Sequence, residues 1–282
     1  MKAFAKINYQ LYVINQKDNG YHNLQMVNSR INIYDIIKIR HNKKQDFVIY
    51  VNKPQLSFGN DDLIIKVIKY IKEKYNINRF YNIYIKKNIP IGAGLGGASM
   101  DVGTIVRYII RKENLSISNE ELIGLVKNFG ADIPYGLYNF PCVVEGIGDI
   151  ITKACIKNKK MILIYPNLLV STKLVFSKCD IINDMKEHRL LIDNTNNDIY
   201  HNDLESIVFS LYPELARYKE FLQNYGKTFM TGSGSCLVLI PKYKITKVSR
   251  KLCYELPDCE IRIAKTKKGK WKWKTKQGNM KF

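Results

Sequence analysis

The sequence lacks any long hydrophobic run, although 46% of its 282 residues are hydrophobic. Its longest apolar runs, such as 161–165 and 237–240, are far shorter than the roughly 20 residues that a membrane-spanning helix needs. The amino terminus also lacks the apolar stretch and the small-residue cleavage site of a secretory signal. We therefore expect a cytoplasmic protein with a folded core and no membrane-spanning helix.

Paired cysteines are missing as well. The six cysteines are scattered between positions 142 and 259, without a Cys-x-x-Cys pair or an accompanying pair of histidines. This spacing predicts neither a structural zinc site nor a disulfide framework. We expect reduced cysteines that serve as packing residues.

Acidic residues are few: 25 Asp and Glu stand against 45 Lys and Arg, for a formal net charge of +20. Such an excess of positive charge is typical of proteins that bind nucleic acid, a membrane surface or a phosphorylated ligand. However, Lys greatly outnumbers Arg, and Asn, Ile and Tyr are abundant, which is the bias expected from an AT-rich genome. We therefore favour a generic basic surface and predict neither a membrane nor a nucleic acid as partner.

The predicted elements mix strands and helices without regular βαβ alternation, which favours the α+β class. β-branched and aromatic segments predict strands over 31–39, 47–51, 81–85, 161–165, 237–240 and 260–264. Apolar spacing and caps predict helices over 62–75, after 92–97, from a capping box at 118–121, around 203–211 and near 246–254. A lysine-rich connection at 157–160 suggests two domains, 1–155 and 156–282.

The most informative segment is glycine-rich, with four glycines in six residues directly before a predicted helix. Glycines let backbone N–H groups approach a ligand closely, and a helix amino terminus carries a partial positive charge. The segment therefore predicts a phosphate site. It consists of Pro90, Ile91, Gly92, Ala93, Gly94, Leu95, Gly96, Gly97, Ala98 and Ser99.

Two common phosphate loops fit this segment poorly. A Walker A loop ends in Gly-Lys-Ser/Thr, whereas Ala98 follows Gly97 here. A dinucleotide-binding fingerprint is met by Gly92, Gly94 and Gly97, but it requires an acidic residue about 20 positions further on, at the end of the next strand. Position 117 is isoleucine, so that context is absent.

The segment resembles instead the second motif of the GHMP kinases (galacto-, homoserine, mevalonate and phosphomevalonate kinases), whose loop and following helix wrap the ATP phosphates. Four further segments narrow the resemblance to the 4-diphosphocytidyl-2-C-methyl-D-erythritol kinase family, and the likeness runs over nearly the whole chain. They are Ala5-Lys6-Ile7-Asn8, Gly20-Tyr21-His22-x-Leu24-Gln25, Gly130-Ala131-Asp132-Ile133-Pro134 and Thr231-Gly232-Ser233-Gly234-Ser235.

The resemblance implies a two-domain GHMP kinase fold, with a ribosomal-protein-S5-like amino-terminal domain and a ferredoxin-like carboxy-terminal domain. It also implies transfer of the ATP γ-phosphate to the 2-hydroxyl of 4-diphosphocytidyl-2-C-methyl-D-erythritol, a cytidine-diphosphate sugar alcohol of the non-mevalonate isoprenoid pathway. Mg²⁺ is expected with ATP, although its ligands are not predicted. We expect a monomer or a weak homodimer.

The same resemblance assigns catalytic roles to two residues. Asp132 matches the base and Lys6 the catalytic lysine, while residues 90–99 match the ATP-binding loop. A cation beside Asp132 would hold the carboxylate ionised and stabilise the charge that develops in phosphoryl transfer. The alternatives are one more surface lysine for Lys6 and a turn carboxylate before Pro134 for Asp132.

Substrate recognition is matched by two groups of residues. Asn8, Tyr21 and His22 correspond to positions around the cytidyl half, with His22 suited to hydrogen-bond the pyrimidine and Tyr21 to stack. Phe176 matches an aromatic that sandwiches the cytosine, although a core role is the alternative. A second N–H-rich turn near substrate and phosphates is formed by Thr231, Gly232, Ser233 and Gly234.

Three positions depart from the family pattern. Asn28 stands where an aromatic residue is common, Met100 replaces a second serine after Ser99, and Asp62 replaces an asparagine on the adenine side. Lys6 and Asp132 are retained, so activity is still expected. The alternatives are a mevalonate- or homoserine-type kinase, and a basic, non-catalytic binder of nucleic acid or anions.

The carboxy-terminal segment 270–276 alternates strictly between lysine and other residues, including two tryptophans. Alternation of this kind places the lysines on one face of a strand and the tryptophans on the other. We predict a basic edge strand that forms a hairpin with strand 260–264 and packs its tryptophans inward. A nucleic-acid module is the alternative, because it would also use cations and stacking rings together.

Overall fold

The structure is a computed structural model that describes residues 1–18, 20–56, 59–179, 199–267, 273–275 and 278–280. Its strands are β1 (Lys2–Gln16), β2 (His22–Asn42), β3 (Phe47–Tyr50), β4 (Phe80–Lys86), β5 (Cys142–Gly146), β6 (Ile150–Lys153), β7 (Lys160–Tyr165), β8 (His201–Asn202), β9 (Gly226–Met230), β10 (Leu237–Pro241), β11 (Glu260–Lys265), β12 (Trp273–Thr275) and β13 (Gly278–Met280). Its α-helices are α1 (Leu63–Lys74), α2 (Gly97–Lys112), α3 (Asn119–Val126), α4 (Ile133–Gly136), α5 (Thr172–Ser177), α6 (Leu204–Leu211), α7 (Pro213–Gln223) and α8 (Ile245–Glu255). Short 3-10 helices cover Pro54–Leu56, Gly59–Asp61 and Lys127–Phe129. This mixture confirms the predicted α+β class.

A seven-stranded sheet is built around the long antiparallel pair of β1 and β2. Its main order is β3-β4-β2-β1-β8, with β5 joined to β2 and β6 joined to β5. The register places Lys6 opposite Arg30 and Asn8 opposite Asn28. Residues that stand opposite in an antiparallel pair have side chains within contact distance, so this register sets up the polar contacts described below.

The second sheet has four antiparallel strands in the order β11-β7-β10-β9. The alternation of β7 explains its two buried faces. Met161 and Leu163 share a core with Ala5 and Ile7 of β1, whereas Ile162 and its neighbours on that face share the core of the helices. Because hydrophobic side chains cover both faces, this sheet is fixed against β1 on one side.

The glycine-rich segment leads from β4 into α2 at the junction of the two sheets. Ala93 and Leu95 are buried in the core that β1 shares with the second sheet. The loop is therefore anchored by its two apolar side chains, and its glycines lie between them. The predicted apolar stripe of α2, which includes Val102, Ile105 and Ile109, is also buried.

The predicted helix caps are confirmed. The Asp62 carboxylate accepts a hydrogen bond from the backbone N–H of Ile64 at 2.8 Å, and it begins α1. The Ser118 hydroxyl accepts one from the N–H of Glu121 at 3.1 Å, and it begins α3. These caps satisfy N–H groups that have no partner within a helix.

The bounds of one predicted strand need correction. The predicted strand 31–39 is only the middle of β2, which extends over 21 residues. Buried polar side chains such as Asn28 and Arg30 interrupt the hydrophobic pattern that would have marked its first half. Elements that the sequence did not predict include β5, β6, α7 and β9.

The predicted hairpin at the carboxy terminus is wrong in its pairing. Strand β12 pairs with β13, whereas β11 pairs with β7. The rest of the Lys/Trp segment lies outside the described residues, so its predicted faces stay predictions.

The predicted domain boundary at residue 155 falls between β6, the last strand before it in the first sheet, and β7, the first strand of the second. Strand β8 nevertheless returns to pair in parallel with β1. The boundary stays a prediction. In the part of the chain that the structure describes, no helix combines the length and hydrophobicity needed to cross a membrane.

Candidate active site

A cavity of about 560 Å³ lies beside the glycine-rich loop. Its wall contains all ten residues of the loop from Pro90 to Ser99. Lys6, Asp132, Phe176 and the turn 232–234 also line it. The structure therefore brings together segments from five distant parts of the sequence that the motif analysis singled out.

The predicted catalytic pair lies in this cavity. The Nζ atom of Lys6 is 3.2 Å from the Oδ2 atom of Asp132, and their side chains are 4% and 32% exposed. Lys6 extends from β1, whereas Asp132 is the residue that begins α4. The Lys6 backbone N–H donates to the Leu95 carbonyl at 3.0 Å, which connects β1 to the glycine loop. A buried ammonium thus faces a carboxylate that solvent and a ligand can reach.

A chain of amides continues from Lys6 into the protein. Lys6 Nζ donates to Asn8 Oδ1 at 2.7 Å, and Asn8 Nδ2 donates to Asn28 Oδ1 at 2.6 Å. An ammonium can only donate, so Asn8 must turn its carbonyl toward Lys6 and its amide toward Asn28. Asn28 therefore supplies the acceptor that orients Asn8.

The glycine loop contacts the turn 231–235 backbone to backbone. A Cβ atom on Gly94, whose φ is +70°, would lie 2.2 Å from the Thr231 carbonyl oxygen. A Cβ atom on Gly232 would lie 2.8 Å from the Gly94 carbonyl oxygen. The Cys236 N–H donates to the Ala93 carbonyl at 3.3 Å. Only glycines fit at this contact, because any side chain would collide with backbone atoms.

The amino terminus of α2 opens toward the same cavity. Gly96, with φ of +69°, begins the helix and has no side chain that could cap it. The first N–H groups of α2 are therefore available to an anion, and the helix dipole favours negative charge there. A Cβ on Gly96 would lie 2.9 Å from Lys6 Cγ, so the lysine stem passes directly beside this helix end.

Of the residues matched to the cytidyl half, Phe176 lines the cavity, whereas Asn8, Tyr21 and His22 do not. The rings of His22 and Phe176 are 5.3 Å apart between centroids, with an angle of 42° between their planes. His22 is buried, whereas Tyr21 is 52% exposed in the turn between β1 and β2. Asn8 and Thr231 lie behind the cavity wall, joined by a 2.9 Å hydrogen bond from the Asn8 N–H to Thr231 Oγ1. The stacking role of Tyr21 stays a prediction.

Two family models match this chain, and their descriptions agree with that geometry. The GHMP kinases N terminal domain matches residues 62–146, and the GHMP kinases C terminal model matches residues 178–258. A 4-diphosphocytidyl-2-C-methyl-D-erythritol kinase of Francisella philomiragia is 35% identical over 257 residues, which cover 89% of this chain and 91% of the relative. The chain belongs to the 4-diphosphocytidyl-2-C-methyl-D-erythritol kinase family.

More distant comparisons agree with this assignment. A Caldicellulosiruptor saccharolyticus protein of the same name is 30% identical over 89% of this chain and 92% of its own length. The crystal structure of a 4-(cytidine 5'-diphospho)-2C-methyl-D-erythritol kinase superposes with a TM-score of 0.78. That match covers 95% of this chain and 99% of the other at 21% identity, so it shows the GHMP kinase fold. The protein is an ATP-dependent small-molecule kinase.

The kinase contains a buried charge cluster in the cavity wall that the motif analysis missed. Lys87 Nζ donates to Asp101 Oδ2 at 2.8 Å and also contacts the Asp35 carboxylate. Asp35 Oδ1 accepts from the N–H groups of Asn88 and Ile89, at 2.5 and 2.8 Å. A carboxylate at position 101, within the apolar stripe of α2, was the sequence signal that could have revealed this cluster.

One ammonium serves two buried carboxylates here, and Asp101 keeps one oxygen without a hydrogen-bond partner. Burial raises the pKa of the Asp101 carboxyl to about 8; Lys87 opposes that rise and Asp35 adds to it. Between pH 4 and 8 the folded kinase therefore holds a proton that the unfolded chain has lost. Stability contributed by this carboxyl falls as the pH rises through that interval.

We expect the Asp101→Asn variant to lose this pH dependence, because an amide cannot ionise. Relative to the wild type, its free energy of unfolding should improve between pH 5 and 8, by at most about 1.4 kcal/mol per pH unit. Urea denaturation at four pH values measures the difference. Asp61→Asn is the control, because the Asp61 side chain is 86% exposed. A flat difference between Asp101→Asn and the wild type would contradict the prediction.

Proposed function

We propose that this kinase transfers the γ-phosphate of ATP to the 2-hydroxyl of 4-diphosphocytidyl-2-C-methyl-D-erythritol, a step toward isoprenoid precursors. The supporting observation is that the Lys6–Asp132 pair lines one cavity together with the glycine loop and Phe176. The relatives carry that activity in their names. One cavity thus combines a candidate phosphate site, a candidate base and an aromatic ring.

Asp132 is proposed as the general base. Its carboxylate takes the proton of the substrate hydroxyl while that oxygen attacks the γ-phosphorus and the bond to the β-phosphate oxygen breaks. Such assistance is worth roughly 10²- to 10⁴-fold in rate. Lys6 lies 3.2 Å from Asp132 and passes beside the helix end, so its ammonium faces both the base and the transferred group.

The loop 90–99 is proposed to hold the ATP phosphates through its N–H groups and the amino terminus of α2. Phosphoryl transfer depends mainly on positioning and on neutralising charge, which fits a site that combines backbone donors with the Lys6 ammonium. The apolar wall formed by Leu56 and Leu63 offers room for the adenine, near Asp62.

Mg²⁺ is proposed as the cofactor that accompanies ATP. Among the described residues, no group of three or more acidic, histidine or cysteine side chains could hold a metal. This fits Mg²⁺, which is commonly bound through substrate phosphates and one or two protein oxygens. Ser99, in the first turn of α2, is the proposed protein oxygen, and the bound ion would neutralise phosphate charge.

ADP release with purified kinase, ATP and Mg²⁺ tests this proposal directly. We expect turnover with 4-diphosphocytidyl-2-C-methyl-D-erythritol and none with mevalonate or homoserine, and ³¹P NMR of the product identifies the phosphorylated hydroxyl. Turnover with another alcohol, and none with the cytidyl compound, would point to the alternative kinase type.

We expect Phe176→Ala to raise the KM for the cytidyl substrate and to leave the KM for ATP unchanged. Stacking of one base on an aromatic ring is worth about 1–3 kcal/mol, or roughly 5- to 150-fold. Leu174→Ala is the matched control, because Leu174 lies in the same helix α5 and is 41% exposed. Equal effects of both substitutions, or a change confined to ATP, would contradict a cytosine-stacking role.

A further inference from the structure

Arg30 is a buried cation directly behind the catalytic pair. It lies on β2 opposite Lys6, and only 1% of its surface is exposed. No carboxylate within the described residues is at ion-pair distance from its guanidinium. The guanidinium instead donates hydrogen bonds to backbone carbonyl oxygens and to the Met100 sulfur. Burial of an unpaired charge costs free energy, because the charge loses its hydration. Hydrogen-bond acceptors around the guanidinium must therefore compensate.

The compensation comes mainly from the end of α4. Arg30 Nη2 donates to the carbonyl oxygens of Tyr135 at 3.0 Å, Gly136 at 3.2 Å and Tyr138 at 2.6 Å. Its Nε donates to Tyr138 as well, at 3.0 Å. Arg107 Nη1 donates to the remaining carbonyl, that of Leu137, at 3.1 Å. Two arginines therefore hold four consecutive carbonyl groups.

These carbonyls belong to the segment that positions the base. Helix α4 has only four residues, and Asp132 is the residue at its amino end. A helix of one turn does not stabilise itself, and its carboxy-terminal carbonyls need outside donors. A further Nη1 bond, to the Phe4 carbonyl at 2.6 Å, ties the same guanidinium to the strand that carries Lys6. Arg30 thus connects the backbones of both members of the pair.

We propose that Arg30 is a positioning residue that holds α4 against β1 and thereby keeps the Asp132 carboxylate within reach of Lys6. The Arg30 guanidinium also contacts the sulfur of Met100, the residue that replaces the usual second serine. Asp132 itself receives no hydrogen bond from Arg30, so the effect is transmitted through the α4 backbone. This inference rests on the proposed role of Asp132 as the base.

The experiment is a double-mutant cycle between position 30 and position 132. Arg30→Lys keeps the charge but cannot make the branched set of hydrogen bonds, and Arg30→Met removes both. We expect Arg30→Lys to lower kcat at least about 10-fold while the KM for ATP changes less than about 2-fold. In the Asp132→Asn background, assayed with radiolabelled ATP, the same substitution should cause no further loss of kcat.

Melting temperatures separate positioning from general destabilisation. Arg30→Lys should lower the melting temperature equally in both backgrounds, and Leu252→Ala, in the distant helix α8, should lower it without a 10-fold loss of kcat. An equal loss of kcat in both backgrounds, or a destabilised Arg30→Lys enzyme with normal kcat, would overturn the proposal. Absence of wild-type turnover would instead count against the proposed function.

A crystal structure of Arg30→Lys decides the point independently of turnover. We expect the Asp132 carboxylate to lie beyond ion-pair distance from Lys6 in that variant. An unchanged ion pair would overturn the positioning role even if the substrate proposed above were wrong.

Discussion

Asp132→Asn is expected to lower kcat by about 10²- to 10⁴-fold, because the amide cannot take the proton of the acceptor hydroxyl. The substitution is nearly isosteric, so ATP affinity measured by calorimetry should change little. Initial rates of ADP release at saturating substrates give kcat. This is one of the two largest effects that the site geometry predicts.

Asp46→Asn is the matched control for the loss of a lysine–aspartate pair. Asp46 lies 2.6 Å from Lys72, both side chains are largely buried, and neither residue lines the cavity. We expect this variant to lose stability and to retain kcat. If Asp132→Asn turns over at the wild-type rate, Asp132 is not the base and the catalytic assignment fails.

Gly94→Ala is expected to abolish ATP binding and to lower the free energy of unfolding by about 2–5 kcal/mol. A left-handed backbone costs a residue with a Cβ atom about 1–2 kcal/mol, and overpacking adds about 1–3 kcal/mol. The new methyl group would lie 2.2 Å from the Thr231 oxygen and 2.9 Å from that of Gly234, so the two loops must separate. Calorimetry with ATP and urea denaturation measure the two effects.

For Gly124→Ala, which is also a glycine-to-alanine substitution, we expect the opposite effect on stability and on ATP binding. Gly124 lies within α3, and a Cβ atom there would meet nothing within 4 Å. In an exposed helix position, alanine is favoured over glycine by about 1 kcal/mol, so this variant should gain stability and bind ATP normally. A Gly94→Ala enzyme that binds ATP as well as Gly124→Ala does would contradict the close contact between the loops.

The sequence predicted those structural elements that depend on interactions between residues a few positions apart. The helix caps at Asp62 and Ser118 and the apolar stripe of α2 could be read directly, because each depends on residues a few positions apart. The glycine loop was predicted to bind phosphate from its composition. The roles of Lys6 and Asp132 came from family resemblance, since nothing local connects residues so far apart in the chain.

The parts that the sequence did not reveal depend on long-range pairing of polar groups. Lys87, which follows β4, meets Asp101 of α2 only in the folded chain, and a charged residue considered in isolation is interpreted as a surface residue. Arg30 satisfies its donors with carbonyl groups from a segment more than a hundred positions away. Its partners are backbone atoms, so no complementary residue type marks them in the sequence.

The close approach of Gly94 to the turn at Thr231 also restricts how this enzyme can be recombined with its relatives. The two loops share a surface on which neither has a side chain to adjust, so each accommodates only the backbone path of the other. A chimera that exchanges one half of the chain at residue 155 would combine loops from two different proteins, and their backbone paths would not be matched to each other. A functional chimera would therefore have to take both loops from the same parent.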